Sequence, residues 1–212
     1  MSSRAAALPL ALTLLALAAC RSVPTAPAEA VPAEGGAESL PLPTGVRLDP
    51  AGPGLDVGNM PLSVAAAPGP AGRLVLLLSG YRQMGLQVVD AVGGRVLQTL
   101  PQAGAFLGLA FSPDGQTLYA SGGDDDSVFR YDWRDGAATL RDRIELEAKE
   151  PEARGRRFPA GLGVSADGSR LYVAENLSAT LAVVDTASGR VLQRLPAGDL
   201  PYGVAVAPDH TV

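Results

Sequence analysis

The chain has 212 residues, a net charge of −5, 25 glycines, 18 prolines and 5% aromatic residues. The acidic balance excludes a nucleic-acid binder that works through a basic stripe. The glycine and proline content argues against long helices and suits many short strands joined by frequent turns.

The chain opens on a targeting pattern. Arg4 supplies a positive start, and Ala5 to Ala19 is an apolar run too short to span a bilayer comfortably. It ends in Leu17-Ala18-Ala19-Cys20, which resembles a bacterial lipobox. Small residues before the cut suit a signal peptidase, and the thiol is the group that a lipid thioether needs. Cys20 is the only cysteine, so an internal disulfide is excluded. The plainer alternative is an ordinary signal peptide with an incidental cysteine. Under the lipobox reading the partner is a membrane, reached through a lipid anchor at Cys20. The expected location is extracytoplasmic: periplasm, outer membrane or cell surface. Position 21 is Arg rather than Asp, which in many Gram-negative bacteria would not hold a lipoprotein at the inner membrane. Residues 21–44 are rich in Pro, Ala, Glu and Ser without a hydrophobic period, and are expected to form a disordered tether.

Residues 45–212 read as repeats. Val88-Val-Asp90, Gly94-Arg-Val-Leu-Gln98 and Leu100-Pro101 recur 95 residues later as Val183-Val-Asp185, Gly189-Arg-Val-Leu-Gln193 and Leu195-Pro196. That spacing is about two repeats of the 40–50 residues that mark propellers. Four small-residue strands share one anchor: Leu62–Pro68, Leu107–Pro113, Ala160–Ala166 and Tyr202–Pro208. Small residues suit an innermost strand, because blades converge on the central axis. Asp114-Gly115 and Asp167-Gly168 are hairpin signals. Second strands are expected at Arg73–Ser79, Thr117–Ser121 and Arg170–Glu175, and third strands at Leu86–Asp90, Ser127–Trp133 and Thr180–Asp185. Fourth strands are expected at Arg95–Leu100, Thr139–Leu146 and Arg190–Leu195, with a solvated insertion near Glu147–Arg156. The fold class is therefore all-β, a β-propeller of four-stranded antiparallel blades. The blades fall at about 57–101, 102–150 and 157–198, and 199–212 opens the next.

Leu171-Tyr-Val-Ala-Glu-Asn176, Leu181-Ala-Val-Val-Asp185 and Gly189-Arg-Val-Leu192 resemble the YVTN-type repeat of surface-layer and YncE-like seven-bladed propellers. Ala174-Glu175 departs from the family tetrapeptide, so the resemblance implies the fold and no site. Val57-Gly-Asn-Met-Pro61 and Phe106–Gly115 are also similar to two-domain bacterial proteins in which such a propeller precedes an alkaline-phosphatase-like phosphoesterase. A seven-bladed ring needs roughly 300 residues at about 43 per repeat. About three and a quarter blades are thus expected here, as in a fragment of a longer chain. Gly45-Val-Arg-Leu-Asp-Pro50 resembles the fourth strands, so Val46–Asp49 is expected to close the ring as the outermost strand of the last blade, the plainer alternative being the end of the tether.

Strand direction alternates in a meander, so entries to first strands and links from second to third strands share one face. That loop face carries Asn59, Tyr81, Arg82, Gln83, Asp124, Asp125, Asp126, Arg157, Glu175, Asn176, Asp199 and Tyr202. Variable polar loops on a rigid scaffold are the default binding surface. The opposite face carries generic turns such as Pro113-Asp-Gly115 and Ser188-Gly-Arg190. Asp124-Asp125-Asp126 offers oxygens to Ca²⁺ but lacks EF-hand spacing, and an acidic hairpin loop is the plainer reading. Arg82 and Arg157 either reach into the central mouth to hold an anion or stay solvated at loop tips. Asn176-Leu-Ser178 matches a glycosylation sequon that is incidental in a bacterium. Trp133 and Phe129 are expected to pack between blades.

His210 is the only histidine, which argues against zinc hydrolysis and a Ser-His-Asp triad. No Gly-x-Ser-x-Gly elbow, phosphate loop or Cys/His cluster is present. No catalytic residue, metal or cofactor is assigned. The leading expectation is a binding or scaffold domain that presents its loop face to a ligand or protein. The alternatives are the propeller of a phosphoesterase whose catalytic domain follows, or a lactonase-like propeller hydrolase.

Overall fold

The computed structural model describes residues 43–45, 54–81, 83–147 and 156–207. Cys20, Arg82, Val46–Asp49, His210 and most of the tether lie outside these residues. The chain divides into two units, Met1–Gly52 and Pro53–Val212. All described strands belong to the second.

Among the described residues, twelve strands form three sheets. The first is β1 (Pro61–Ala66), β2 (Arg73–Gly80), β3 (Gln83–Asp90) and β4 (Arg95–Pro101). The second is β5 (Leu109–Phe111), β6 (Thr117–Ser121), β7 (Ser127–Arg134) and β8 (Ala137–Glu145). The third is β9 (Pro159–Val164), β10 (Arg170–Glu175), β11 (Thr180–Asp185) and β12 (Val191–Pro196). Each sheet is a four-stranded meander with neighbours in chain order, antiparallel throughout. Each is a blade, as the repeat predicted.

The register repeats as well as the order. In every blade the third–fourth pairing slips at one equivalent place: Val88/Val89, Arg130/Tyr131 and Val183/Val184. The outer strand therefore carries one extra residue there, Leu97, Arg141 or Leu192. Such a bulge bends the edge strand and increases its twist, which suits the outer rim of a blade.

Alternating apolar residues bury each blade against the next. Val75, Leu77, Leu86 and Val88 of the first blade meet Leu118, Ala120, Phe129, Tyr131 and Trp133 of the second. Tyr119, Val128 and Ile144 of the second meet Leu171, Val173, Ala182 and Val184 of the third. Each fully buried aliphatic side chain contributes about 1.5–3 kcal/mol. The Trp133 indole nitrogen also donates to the Pro68 carbonyl across the junction at 2.9 Å. Phe129 and Trp133 are thus inter-blade packing residues.

Inner strands approach so closely that only glycine fits at two places. A Cβ on Gly108 would collide with the Ala160 carbonyl and Leu162, and one on Gly161 with the backbone of residues 202–204. This is the convergence that the small-residue strands implied. The first strands depart from expectation in two ways. β5 starts at Leu109, because the Ser121 hydroxyl takes the Gly108 amide at 2.8 Å in place of a ladder bond. Residues 201–207, expected to open a further blade, form no strand. They have no second strand to pair with among the described residues, and lie against β9 through a Gly161 N–H to Tyr202 carbonyl bond of 2.8 Å.

Candidate functional site

The loop face gathers the entries to β1, β5 and β9 and the links β2–β3, β6–β7 and β10–β11. Met60, Phe158 and Leu200 each precede a proline and have φ of 51°, 53° and 52°. A side chain in that left-handed region is uncommon, and here it turns the chain sharply into or toward an inner position. Phe106, Phe158 and Tyr202, from successive blade entries, meet edge-to-face. Phe106 lies 4.9 Å from Phe158 and 5.5 Å from Tyr202 between ring centroids.

The residues expected on this face divide into exposed and internally committed groups. Asn59, Gln83, Asp124 and Asp199 are exposed, Tyr81 is 94% exposed and Tyr202 53%. Asn176 is half-buried, and its side-chain amide donates to the Pro201 carbonyl at 3.0 Å. Asp125 is buried, accepts the Ser127 hydroxyl at 2.6 Å and lies 3.5 Å from the Arg143 guanidinium.

Asp126 is a clamp for the neighbouring loop. Its buried carboxylate accepts the backbone N–H groups of Arg156, Arg157 and Phe158 at 3.0, 2.8 and 2.9 Å. Three converging amides satisfy the charge as a cation would, and they position Phe158 in the trio. Among the described residues no group of three or more His, Cys, Asp or Glu side chains could hold a metal.

Arg157, expected either at the mouth as an anion ligand or solvated at a loop tip, is half-buried and paired within the protein. Its guanidinium pairs with Glu147 at 2.5–2.6 Å and stands 3.9 Å from Glu175. Glu175 is fully buried. It accepts the Thr180 hydroxyl at 2.6 Å and the Arg194 Nε at 2.9 and 3.1 Å. Arg194 in turn donates to the Leu146 carbonyl of the second blade at 2.5 Å. Glu175, expected on the ligand face, is thus buried in an ion pair whose partner Arg194 links two blades.

The turn face is better built than its sequence suggested. Ser112 and Ser165 each donate a hydroxyl to the following aspartate, at 2.5 Å to Asp114 and 2.6 Å to Asp167. These hydroxyls, with backbone N–H bonds, hold both carboxyls below the usual range. Two clefts open on this face, one at each blade junction. That between blades one and two is lined by Pro68, Gly115, Trp133 and Gly136. That between blades two and three, of about 350 Å³, is lined by Asp114, Thr117, Tyr119, Arg141, Asp167 and Thr186.

No family model matches the sequence, and no curated protein matches it. Solved structures do match. Hydrazine synthase of Kuenenia stuttgartiensis aligns at 21% identity and a TM-score of 0.54, over 71% of this chain and 40% of that one. A protein of Bacteroides uniformis described as a "putative 6-phosphogluconolactonase" aligns at 17% and 0.52, over 70% and 44%. One of Bacteroides fragilis, described in the same words, aligns at 19% and 0.52, over 69% and 44%. The chain spans less than half the length of these structures. At such identities they bear on architecture alone, and with three meander sheets about converging inner strands they make this a β-propeller fold.

Proposed function

We propose that the protein is a lipid-anchored, extracytoplasmic propeller of the YVTN/YncE-like type that holds a protein or smaller ligand on its loop face. The carrying observation is the distribution of exposed apolar side chains. Among the described residues, Met60, Tyr81, Leu177, Leu200 and Tyr202 are all more than half exposed on that face, against Val92 and, beside the Ser188–Arg190 turn, Leu192 on the turn face. Exposed aromatic and apolar side chains ringed by polar ones, here Asn59, Asp124 and Asp199, are the usual composition of a recognition surface. The Leu-Ala-Ala-Cys20 motif and the Pro/Ala/Glu tether supply the anchor and the reach.

A photo-crosslinking residue at Tyr81, with Val92 as the opposite-face control, tests the reading in cells. Adducts from position 81 and none from 92 support it; equal yields at both contradict it. Fatty-acid labelling tests the anchor separately: Cys20→Ala abolishes incorporation, and unchanged incorporation ends the lipid proposal. A second reading, a lactonase-like hydrolase, is favoured by the descriptions of two structural neighbours. Turnover of 6-phosphogluconolactone above the spontaneous rate would replace the binding role by this one.

A further inference from the structure

Each blade has one face that looks forward along the chain, and the repeat shows what that face is built to meet. In the first blade it carries Val75, Leu77, Leu86 and Val88, all fully buried against the second blade, with Leu100 packed beside them. Gln98 completes it. Its Oε1 accepts the Ala138 amide at 2.8 Å, and its Nε2 donates to the Ala138 carbonyl at 3.3 Å. The strand pairings put Tyr172, Ala174, Leu181, Val183, Gln193 and Leu195 at the same positions in the third blade.

There the face is open. Tyr172, Leu181 and Val183 are half-buried, Leu195 is 39% exposed, and Gln193 is exposed. The Gln193 carboxamide has no hydrogen bond among the described residues. Residues 201–207 reach the inner end of the face, against Gly161 and Gly163. The face also carries no net charge, since its one ion pair, Arg170 with Asp185 at 3.0 Å, is neutral within itself. The chain as a whole has a net charge of −5. A head-to-tail contact would need the backward face of the first blade, and much of that is taken. Gln87 and Val89 are 7% and 2% exposed there, and Gln87 accepts the Gly58 amide at 2.8 Å.

We infer that the forward face of the third blade is a dimer interface, which packs against the same face of a second copy of this chain. An apolar, uncharged sheet face is where two acidic chains meet without repulsion. A two-fold axis closes the contact after two copies and leaves neither face open. Each Gln193 carboxamide brings a donor and an acceptor, and satisfies its counterpart as Gln98 satisfies Ala138. None of these residues belongs to the recognition surface of the loop face, and Cys20 plays no part.

Sedimentation equilibrium of the full chain carrying Cys20→Ser, at neutral pH, tests the inference. The expected result is a monomer–dimer equilibrium with a midpoint below about 100 µM and no larger species. Gln193→Glu changes an exposed side chain without a partner in the monomer and sets like charges against each other in the dimer. It raises the dissociation constant about tenfold or more, with the melting midpoint of dilute protein unchanged. Val183→Lys abolishes the dimer. A monomer throughout the range overturns the inference. So does a dimer indifferent to both substitutions, which would use another face. Association that continues past the dimer overturns it as well, because it marks a head-to-tail contact.

Discussion

Replacing Asp126 by alanine tests whether the acidic loop is a structural clamp. The substitution removes a carboxylate that is 4% exposed and leaves three amides without their acceptor. A hydrogen bond to a charged group contributes about 1.5–3 kcal/mol. Arg156 is exposed, so its amide can turn to water, whereas Arg157 and Phe158 are half-buried. Two bonds at the low end give a loss of about 3 kcal/mol. Asp126→Asn keeps the oxygen that serves Arg157 and Phe158 but presents an NH₂ to the Arg156 amide, so a loss of about 1 kcal/mol is expected. A shift of about 2–4 °C per kcal/mol then gives a melting midpoint lower by roughly 6–12 °C for the alanine variant. Urea unfolding followed by circular dichroism, with and without Ca²⁺, is the assay. Destabilisation below about 0.5 kcal/mol, as at an ordinary surface site, refutes the clamp. A Ca²⁺-dependent midpoint in the wild type, lost in both variants, would show that the loop is a metal site instead.

Three further outcomes follow from the same geometry. Glu175→Gln removes the charge between Arg194 and Arg157, and a loss of about 2 kcal/mol is expected, below the usual 3–5 because both guanidinium groups keep some hydration; a neutral result in urea unfolding would mean the ion pair is immaterial. Gly161→Val drives a side chain into the backbone of residues 202–204, whereas a Cβ on Gly203 meets nothing within 4 Å, so soluble yield should collapse for the first and hold for Gly203→Ala. Asp90, Asp114, Asp132, Asp167 and Asp185 all have carboxyls depressed below the ordinary 3.8. The stability they contribute is present above that value and lost as pH falls through the folded-state values. The melting midpoint should therefore be flat at neutral pH and decline below about pH 4, with Ser165→Ala moving the titration of the Asp167 carboxyl, followed by its resonance, to higher pH; a midpoint indifferent to acid would contradict these turn bonds.

The blades were legible because their signals are local. Alternating Val and Leu, Asp-Gly turns and the repeated Gly-Arg-Val-Leu mark strands and links within a few residues of each other. Much of the site was not. Phe106 and Phe158 occupy adjacent rather than identical repeat positions, and Tyr202 a third, so no alignment of anchors brings the aromatic trio together. Asp126 finds its partners 30–32 residues away, and Arg194 reaches Leu146 across a blade boundary. Such pairings depend on how one blade seats on the next.

The central claim is that successive blades converge on one axis and bring their inner-strand entries together on the loop face. Ring-to-ring nuclear Overhauser contacts in the aromatic-labelled protein test it most directly. The account predicts cross-peaks from Phe106 to both Phe158 and Tyr202, whose centroids lie 4.9 and 5.5 Å away. A well-dispersed spectrum in which Phe106 contacts neither ring would contradict it.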